Sequence, residues 1–122
     1  MLQAQQAEPQ AAYQMPRASK ALLTDLVSAD AQHLVAVGER GHILVSEDGQ
    51  SWTQANVPVQ ANLSSVYFIN KLQGWAVGHD ATILHSADGG ASWHIQQFLP
   101  ELDKPLFDIY FIDPLHGIAV GA

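Results

Sequence analysis

Ser86-Ala87-Asp88-Gly89-Gly90-Ala91-Ser92-Trp93 is the stretch that decides the fold, and it recurs one residue shorter as Ser46-Glu47-Asp48-Gly49-Gln50-Ser51-Trp52. Each copy follows a short apolar run and precedes a second segment that is typical of an extended strand. Serine and aspartate side chains accept hydrogen bonds from nearby backbone N–H groups, and glycine permits the backbone angles of a tight turn. The tryptophan that closes each copy carries a large apolar surface. The stretch therefore predicts a hairpin corner with a packing anchor, made twice.

The chain around these corners repeats itself. Leu34–Gly38 matches Gly74–Gly78 and then Gly117–Gly121, at spacings of 40 and 43 residues. A strand-like segment precedes each of them, at residues 23–29, 63–69 and 106–112. The extra length before the third repeat falls in residues 99–105, where two prolines and several polar residues predict a loop.

Each full repeat predicts four short strands. In the second repeat these strands are residues 64–69, 74–77, 82–86 and 92–98. Several of them are apolar at consecutive positions, which indicates that both faces of the sheet are covered. A four-stranded unit of about 40–50 residues, buried on both faces, is typical of a β-propeller blade. We therefore predict an all-β fold, a β-propeller segment of four-stranded antiparallel blades at 21–60 and 61–103, with the start of a third blade at 104–122.

This number of blades is too small to close a ring by itself. A propeller needs typically 4–8 blades, so we expect the chain to be a fragment of a ring of about seven. Two and a half blades leave an apolar blade face and unpaired strand edges exposed. Exchange of strands, or association of several chains into a ring, is the alternative.

Composition narrows the classes of partner. The chain has 122 residues, is 48% hydrophobic, and carries a formal charge of −7 from 12 acidic and 5 basic residues. This charge argues against nucleic acid or an anionic membrane surface as the main partner. No apolar run is long enough for insertion into a bilayer, and the absence of cysteine excludes disulfide and thiolate chemistry. Residues 1–20 are rich in glutamine and alanine without periodicity, which predicts a flexible leader; they do not have the pattern of a signal peptide.

The corner motif resembles a known repeat. Ser-x-Asp-x-Gly-x-x-Trp is the Asp box, or BNR repeat, of sialidases and many other propellers; the second copy matches it fully and the first is one residue short. The structural residues predicted from it are Ser46, Asp48, Gly49, Trp52, Ser86, Asp88, Gly90 and Trp93. Residues 21–122 as a whole resemble the photosystem II stability/assembly factor-like family, whose marks are Trp75-Ala76-Val77-Gly78, then Thr82-Ile83-Leu84 and the Asp box.

This resemblance implies an exported propeller of about seven blades that binds a protein. Photosynthetic members of the family are assembly chaperones that hold a reaction-centre subunit in the thylakoid lumen, whereas other bacterial relatives are secreted or envelope proteins, some of which accompany export machinery. The implied location is periplasmic or envelope-associated, or the thylakoid lumen in a photosynthetic host. The photosynthetic members are thought to use an arginine-rich patch, but this chain has only Arg17 and Arg40. That departure favours a heterotrophic bacterial relative.

The residues indicate no catalytic, cofactor or metal site. Asp48 and Asp88 occupy the same position in successive repeats, which indicates a turn role rather than a catalytic pair. The six histidines show no HxH or HxxxH spacing typical of metal ligands. A sialidase-type glycan hydrolase or a lectin is the alternative function, since sialidases use Asp boxes. Such an enzyme needs an arginine cluster for the substrate carboxylate, which two scattered arginines do not supply.

The predicted function is that of a non-enzymatic scaffold for protein interaction or assembly. Propellers present loops on a rigid framework, and binding there requires no chemistry. The candidate contact segments are the connectors at residues 39–42 and 79–82 and the insertion at residues 99–105. The individual candidate contact residues are Glu39, Arg40, His42, His79 and Asp80.

Overall fold

The computed structural model describes residues 8–122, and its strands form three antiparallel sheets in chain order. The first sheet has the order β1-β2-β3-β4, with β1 at Leu23–Ser28, β2 at Leu34–Gly38, β3 at Ile43–Ser46 and β4 at Thr53–Gln54. The second has the order β5-β6-β7-β8, with β5 at Leu63–Phe68, β6 at Gly74–Gly78, β7 at Thr82–Ser86 and β8 at His94–Gln97. The third pairs β9 at Leu106–Asp113 with β10 at His116–Gly121.

These sheets are the two four-stranded blades and the partial third blade that the repeat predicts, so the predicted fold class is confirmed. The predicted strands of the second blade agree with the observed ones to within two residues at every end. Three-residue 3-10 turns lie at Ala18–Lys20, Glu39–Gly41 and Pro100–Leu102. No helix within residues 8–122 has the length and apolar character needed to span a bilayer.

The repeated glycine at the end of each second strand has a steric cause. Gly38, Gly78 and Gly121 each pair with the leucine that begins the first strand of the same blade. A Cβ on any of them would lie 2.1–2.2 Å from the carbonyl oxygen of the residue before that leucine. Only glycine allows the two strands to approach this closely. The repeat Val-Gly in the sequence therefore marks where the first two strands of a blade are in backbone contact.

A hydrophobic core lies between the first and second blades. We call the face that a blade turns toward the following blade its forward face, and the opposite face its rear face. Val35 and Val37 of β2 occupy the forward face of the first blade, and Val66 and Trp93 occupy the rear face of the second. All four are buried in one cluster, and β5 packs against both β1 and β2. Successive residues of a strand point to opposite faces, so an apolar strand can contribute to two such cores.

A second core lies between the second and third blades and is more aromatic. Trp75 on the forward face of the second blade stacks on Phe111, with ring centroids 3.5 Å apart and planes inclined by 9°. The Tyr67 hydroxyl donates a hydrogen bond of 3.0 Å to the carbonyl oxygen of Phe111. Tyr67 also contacts Tyr110, at 4.9 Å between ring centroids, although Tyr110 itself is exposed. Both inter-blade cores thus use the same strands of the repeat.

The described part of the predicted leader runs along the outer side of the first blade. The Ala12 N–H donates to the carbonyl oxygen of Val57 at 2.8 Å, and the Ala12 side chain is buried. The Gln54 side chain donates to the carbonyl oxygen of Tyr13 at 2.7 Å. These contacts attach residues 12–13 to the blade. The leader prediction for residues 1–7 lies outside the described residues, and the flexibility of the leader stays a prediction.

Candidate functional site

The second Asp box forms its corner through side-chain hydrogen bonds to the backbone. The buried Ser86 hydroxyl oxygen accepts from the Gly90 N–H at 2.9 Å, and the hydroxyl donates to the Asp88 carboxylate at 2.9 Å. That carboxylate also accepts from the Ser92 N–H at 3.0 Å and from the Ser92 hydroxyl. Partial burial opposes ionisation of Asp88, but the hydrogen bonds from Ser92, Ser86 and the Ala91 backbone together outweigh it and lower the pKa of Asp88. The carboxylate is therefore engaged in holding the turn.

The first Asp box forms the same kind of hydrogen-bonded corner with one residue fewer. The Ser46 hydroxyl oxygen accepts from the Gly49 N–H at 2.8 Å, three residues along instead of four. Asp48 accepts from the N–H groups of Gln50 and Ser51, both at 2.8 Å, and these bonds lower the pKa of Asp48. Because Asp48 and Asp88 lie in turns of different blades and each is hydrogen-bonded within its own turn, the geometry gives them turn roles in the fold.

The two Asp-box tryptophans have different surroundings. Trp93 is buried between the first two blades, and its indole Nε1–H donates to the Gly90 carbonyl oxygen at 2.7 Å. Trp52 holds the equivalent position in the first blade, where it is half-buried and lines a groove on the rear face together with Leu26 and Ala36. The difference lies in the neighbour: Trp93 has a preceding blade to pack against in the described part of the chain, and Trp52 does not.

The predicted contact segments lie at the end of the blades opposite the Asp boxes, because β2–β3 connectors and β3–β4 turns occupy opposite ends of an antiparallel sheet. Asn62 joins two of these segments: its side-chain oxygen accepts from the Arg40 N–H at 2.9 Å, and its carbonyl oxygen accepts from the His79 N–H at 2.9 Å. The insertion joins the second connector, since the Ala81 N–H donates to the Lys104 carbonyl oxygen at 2.7 Å. The three segments thus form one continuous rim of loops.

The side chains of this rim differ in exposure. Arg40 and His79 are exposed, and Glu39 and Asp80 are partly so. The Glu39 carboxylate accepts from the Leu22 N–H, and this bond is the main cause of the lowered pKa of Glu39; the adjacent Arg40 guanidinium, at 3.3 Å, acts in the same direction. We call these four residues the connector rim. Arg40 and the acidic Glu39 and Asp80 give this surface charges of both signs.

His42 does not belong to that surface. It is 1% exposed, and neither ring nitrogen has a hydrogen-bond partner among the described residues. Burial, assisted by the nearby Arg40 charge, lowers the pKa of His42, so the imidazole is neutral in the fold. The equivalent residue in the second blade, Thr82, is also buried, and its hydroxyl donates to the His79 carbonyl oxygen at 2.6 Å. A side chain at this position is part of the interior, not of a contact loop.

A row of polar side chains, which the sequence analysis does not predict, crosses the first strands of the three blades. The Ser65 hydroxyl lies 2.7 Å from the Asp108 carboxylate and 3.1 Å from the Asp25 carboxylate, and it donates its single proton to one of them at a time. Asp25 also accepts from the Val66 N–H at 2.9 Å. The three residues occupy one position of the repeat, each just after a shift in strand register. Alignment of the repeats at spacings of 40 and 43 is the signal that identifies them.

The remaining chemistry-bearing residues are dispersed. Arg17 precedes the first 3-10 turn, whereas Arg40 lies in the β2–β3 connector, so the two arginines belong to different segments. Within residues 8–122, no three histidine, aspartate or glutamate side chains are arranged to hold a metal ion. What the geometry does provide is a rigid framework with a loop rim at one end.

Comparisons with known proteins give consistent matches. A family model described as photosynthesis system II assembly factor YCF48 matches residues 44–113. The chain is 41% identical over 58 residues to photosystem II assembly protein Ycf48 of Synechococcus sp. (strain JA-2-3B'a(2-13)), over 46% of this chain and 17% of that protein. It is 35% identical over 46 residues to the Ycf48 of Thermosynechococcus vestitus (strain NIES-2133 / IAM M-273 / BP-1), over 38% of this chain and 13% of that protein.

A solved structure described as YCF48 bound to D1 peptide matches with a TM-score of 0.72 and 26% identity. This match covers 96% of the chain and 39% of the solved one. The chain therefore spans a minor part of the length of each of these proteins.

Proposed function

The chain belongs to the family of the photosynthesis system II assembly factor YCF48, and from this premise we propose that it is a non-enzymatic propeller module that binds a segment of a photosystem II subunit during assembly. The observation that carries the proposal is its likeness to a YCF48 structure that contains a bound D1 peptide, over nearly the whole of this chain. A D1 peptide is accordingly the ligand we assign to this chain. Its two arginines alone favour a heterotrophic relative, but the matches to Ycf48 proteins outweigh that departure. The blades of the proposed module are residues 21–60, 61–103 and 104–122.

The connector rim is the surface that we assign to this binding. Arg40 and His79 are exposed there on backbone that Asn62 fixes from two sides, so a partner meets preformed loops. Glu39 and Asp80 supply acidic neighbours, which lets the rim pair with donors as well as acceptors on an extended peptide. The Asp-box carboxylates do not take part, because they are bound within their own turns.

The proposed location follows from the partner. We place the chain on the exported side of the membrane, in the periplasm, the envelope or the thylakoid lumen, as its resemblance to the family implies. No glycan hydrolysis is expected, because the chain has two arginines, on different segments, and both Asp-box carboxylates are committed to turns. A sialidase assay on the purified chain that detected turnover would contradict this part of the proposal.

Binding is tested with overlapping peptides that cover the D1 sequence, using fluorescence anisotropy on the purified 122-residue chain. We expect at least one peptide to bind, and we expect the double variant Arg40→Ala/His79→Ala to weaken that binding about tenfold or more, which corresponds to about 1.4 kcal/mol. Lys71→Ala is the matched control, because Lys71 is exposed in the β5–β6 turn at the opposite end of the blade. Unchanged affinity in the double variant would refute the rim assignment. Failure of every D1 peptide to bind would refute the assignment of D1 as the ligand.

A further inference from the structure

Two histidines of the second blade are an exception to the dispersal of the chemistry-bearing side chains. His85 of β7 and His94 of β8 lie directly opposite each other in the antiparallel register. Residues paired in this way share one face of a sheet, with Cβ atoms about 4.5–5.5 Å apart. The pair lies at the base of the second Asp box, because His85 directly precedes Ser86 and His94 directly follows Trp93. The register thus brings two imidazoles together on the outer strands of the blade.

The surroundings leave both rings open to an ion. Neither histidine makes a hydrogen bond to another described residue and, in contrast to His42, neither has a ring nitrogen that is buried without a partner. His94 is exposed and His85 is half-buried. Burial lowers the pKa of His85, and the nearby His94 acts in the same direction, so the His85 imidazole is neutral at neutral pH. Neutral imidazole is the form that binds a metal ion.

The equivalent pair in the first blade shows that this position stays accessible beside a complete neighbouring blade. Val45 of β3 and Thr53 of β4 are paired in the same way. The four-stranded second blade packs against the first and brings the Trp93 of its own Asp box into the core between them. Thr53 is nevertheless exposed, and Val45 is only half-buried. The access of solvent to the histidine pair therefore does not depend on how many strands follow it.

We propose that His85 and His94 form a two-histidine site for a divalent transition-metal ion, with water in the remaining coordination positions. Imidazole suits Zn²⁺, Ni²⁺ and Cu²⁺, and a given nitrogen site binds Cu²⁺ most tightly of the three. Metal–nitrogen distances of about 2.0–2.1 Å require the two ring nitrogens to lie about 3 Å apart, which side chains on neighbouring Cβ atoms can reach. Once one imidazole holds the ion, the sheet keeps the second at a high effective concentration. The formal charge of −7 also favours a cation.

Trp75 holds one of the two ligands and makes the site visible to spectroscopy. It is paired with His85 across β6 and β7, and the two rings lie 5.0 Å apart between centroids with planes inclined by 40°. The indole is buried and stacked on Phe111, so it gives the imidazole a fixed wall to rest against. A Cu²⁺ ion on His85 would lie close to this indole and quench its fluorescence. The spacing of histidines along the chain does not reveal the site, because its ligands meet across two strands.

The test is titration of the full 122-residue chain with CuCl₂, followed by isothermal titration calorimetry and tryptophan fluorescence. We expect quenching that saturates with one Cu²⁺ per chain, and an electron paramagnetic resonance spectrum with coupling to two imidazole nitrogens. His85→Val and His94→Thr introduce the residues that the first blade carries at these positions, so both suit the fold. Each is expected to raise the dissociation constant about tenfold or more. The double variant is expected to lose little more, because one imidazole alone forms no chelate.

His116→Ala is the matched control. His116 is exposed and lies 2.9 Å from the Asp113 carboxylate, so it is another place where a histidine has a second ligand within reach. This variant is expected to keep the wild-type affinity and quenching, and circular dichroism checks that every variant keeps its sheets. The proposal is overturned if the wild-type chain binds Cu²⁺ more weakly than about 100 μM. It is also overturned if His85→Val or His94→Thr leaves the affinity unchanged, or if His116→Ala is the variant that abolishes binding.

Discussion

Replacement of Trp93 measures how strongly the Asp box holds neighbouring blades together. The indole is 4% exposed, donates to the Gly90 carbonyl oxygen at 2.7 Å, and meets Phe68 edge-on at 5.9 Å between centroids with planes at 86°. Removal of a buried tryptophan side chain costs about 3–5 kcal/mol because the cavity that remains only partly collapses. We therefore expect Trp93→Ala to lower the free energy of unfolding by about that amount, which is a large fraction of the stability of a small domain.

Trp52→Ala is the matched control for this prediction. Trp52 has the same place in its motif but is only half-buried on the open rear face, so its loss is expected to cost about 1 kcal/mol. Trp93→Phe retains an aromatic ring and removes the indole donor, for an expected cost of about 1–2 kcal/mol. Urea unfolding followed by circular dichroism, at a concentration where the chain is monomeric, provides the three values. Equal losses for Trp93→Ala and Trp52→Ala would refute the view that burial by the preceding blade, and not the motif itself, makes the anchor.

Three further variants test other parts of the framework. Ser86→Ala leaves a buried backbone N–H without its acceptor and is expected to cost about 1–3 kcal/mol in urea unfolding; no change would contradict the turn role. Gly41→Ala is expected to lower the free energy of unfolding by about 1–3 kcal/mol, because alanine is strained at φ +74°. The loss is expected to be larger still because the new Cβ would lie 2.1 Å from the Val59 carbonyl oxygen. Ala81 adopts φ +50° at the equivalent position of the second blade, so a tolerated variant would show that the Val59 carbonyl moves aside. His42 has a folded-state pKa below its ordinary value of about 6.5, so the unfolded chain takes up a proton that the fold excludes, and stability falls as the pH drops below about 6.5. His42→Thr, which introduces the residue found at this position in the second blade, is expected to flatten the pH dependence of the unfolding midpoint. An unchanged slope would assign the pH dependence to other groups.

The architecture could be predicted from the sequence because each blade repeats local signals. The Asp-box serines and aspartates form their turns with partners no more than four residues away, so the motif contains the whole structure of the corner. The Val-Gly that ends each second strand marks a close backbone approach within the same hairpin. Local interactions of this kind are visible in a single sequence, which is why the strand limits agree with the structure.

The surface of the rim could not be predicted in full, because it depends on contacts between blades. His42 lies two residues after the exposed Arg40 in a polar connector, and nothing in residues 39–42 signals that its ring is buried. Asn62 lies just before β5, yet its hydrogen bonds fix the connectors of both blades. The polar row of Ser65 requires three strands that are about 40 residues apart in sequence to lie side by side. Such long-range pairings have no local pattern.

The same dependence on neighbours links stability to binding in this fold. Asn62, which positions the exposed Arg40 and His79 backbone, directly precedes Leu63, and Leu63 lies in the core between the first two blades. A loss of inter-blade packing therefore moves the loops of the rim relative to one another even where their own residues are unchanged. Since each blade completes the core of the next, the rim is rigid only where a blade has neighbours on both sides. The second blade meets that condition in the described chain, so its connector is the part of this surface where we expect a peptide to bind first.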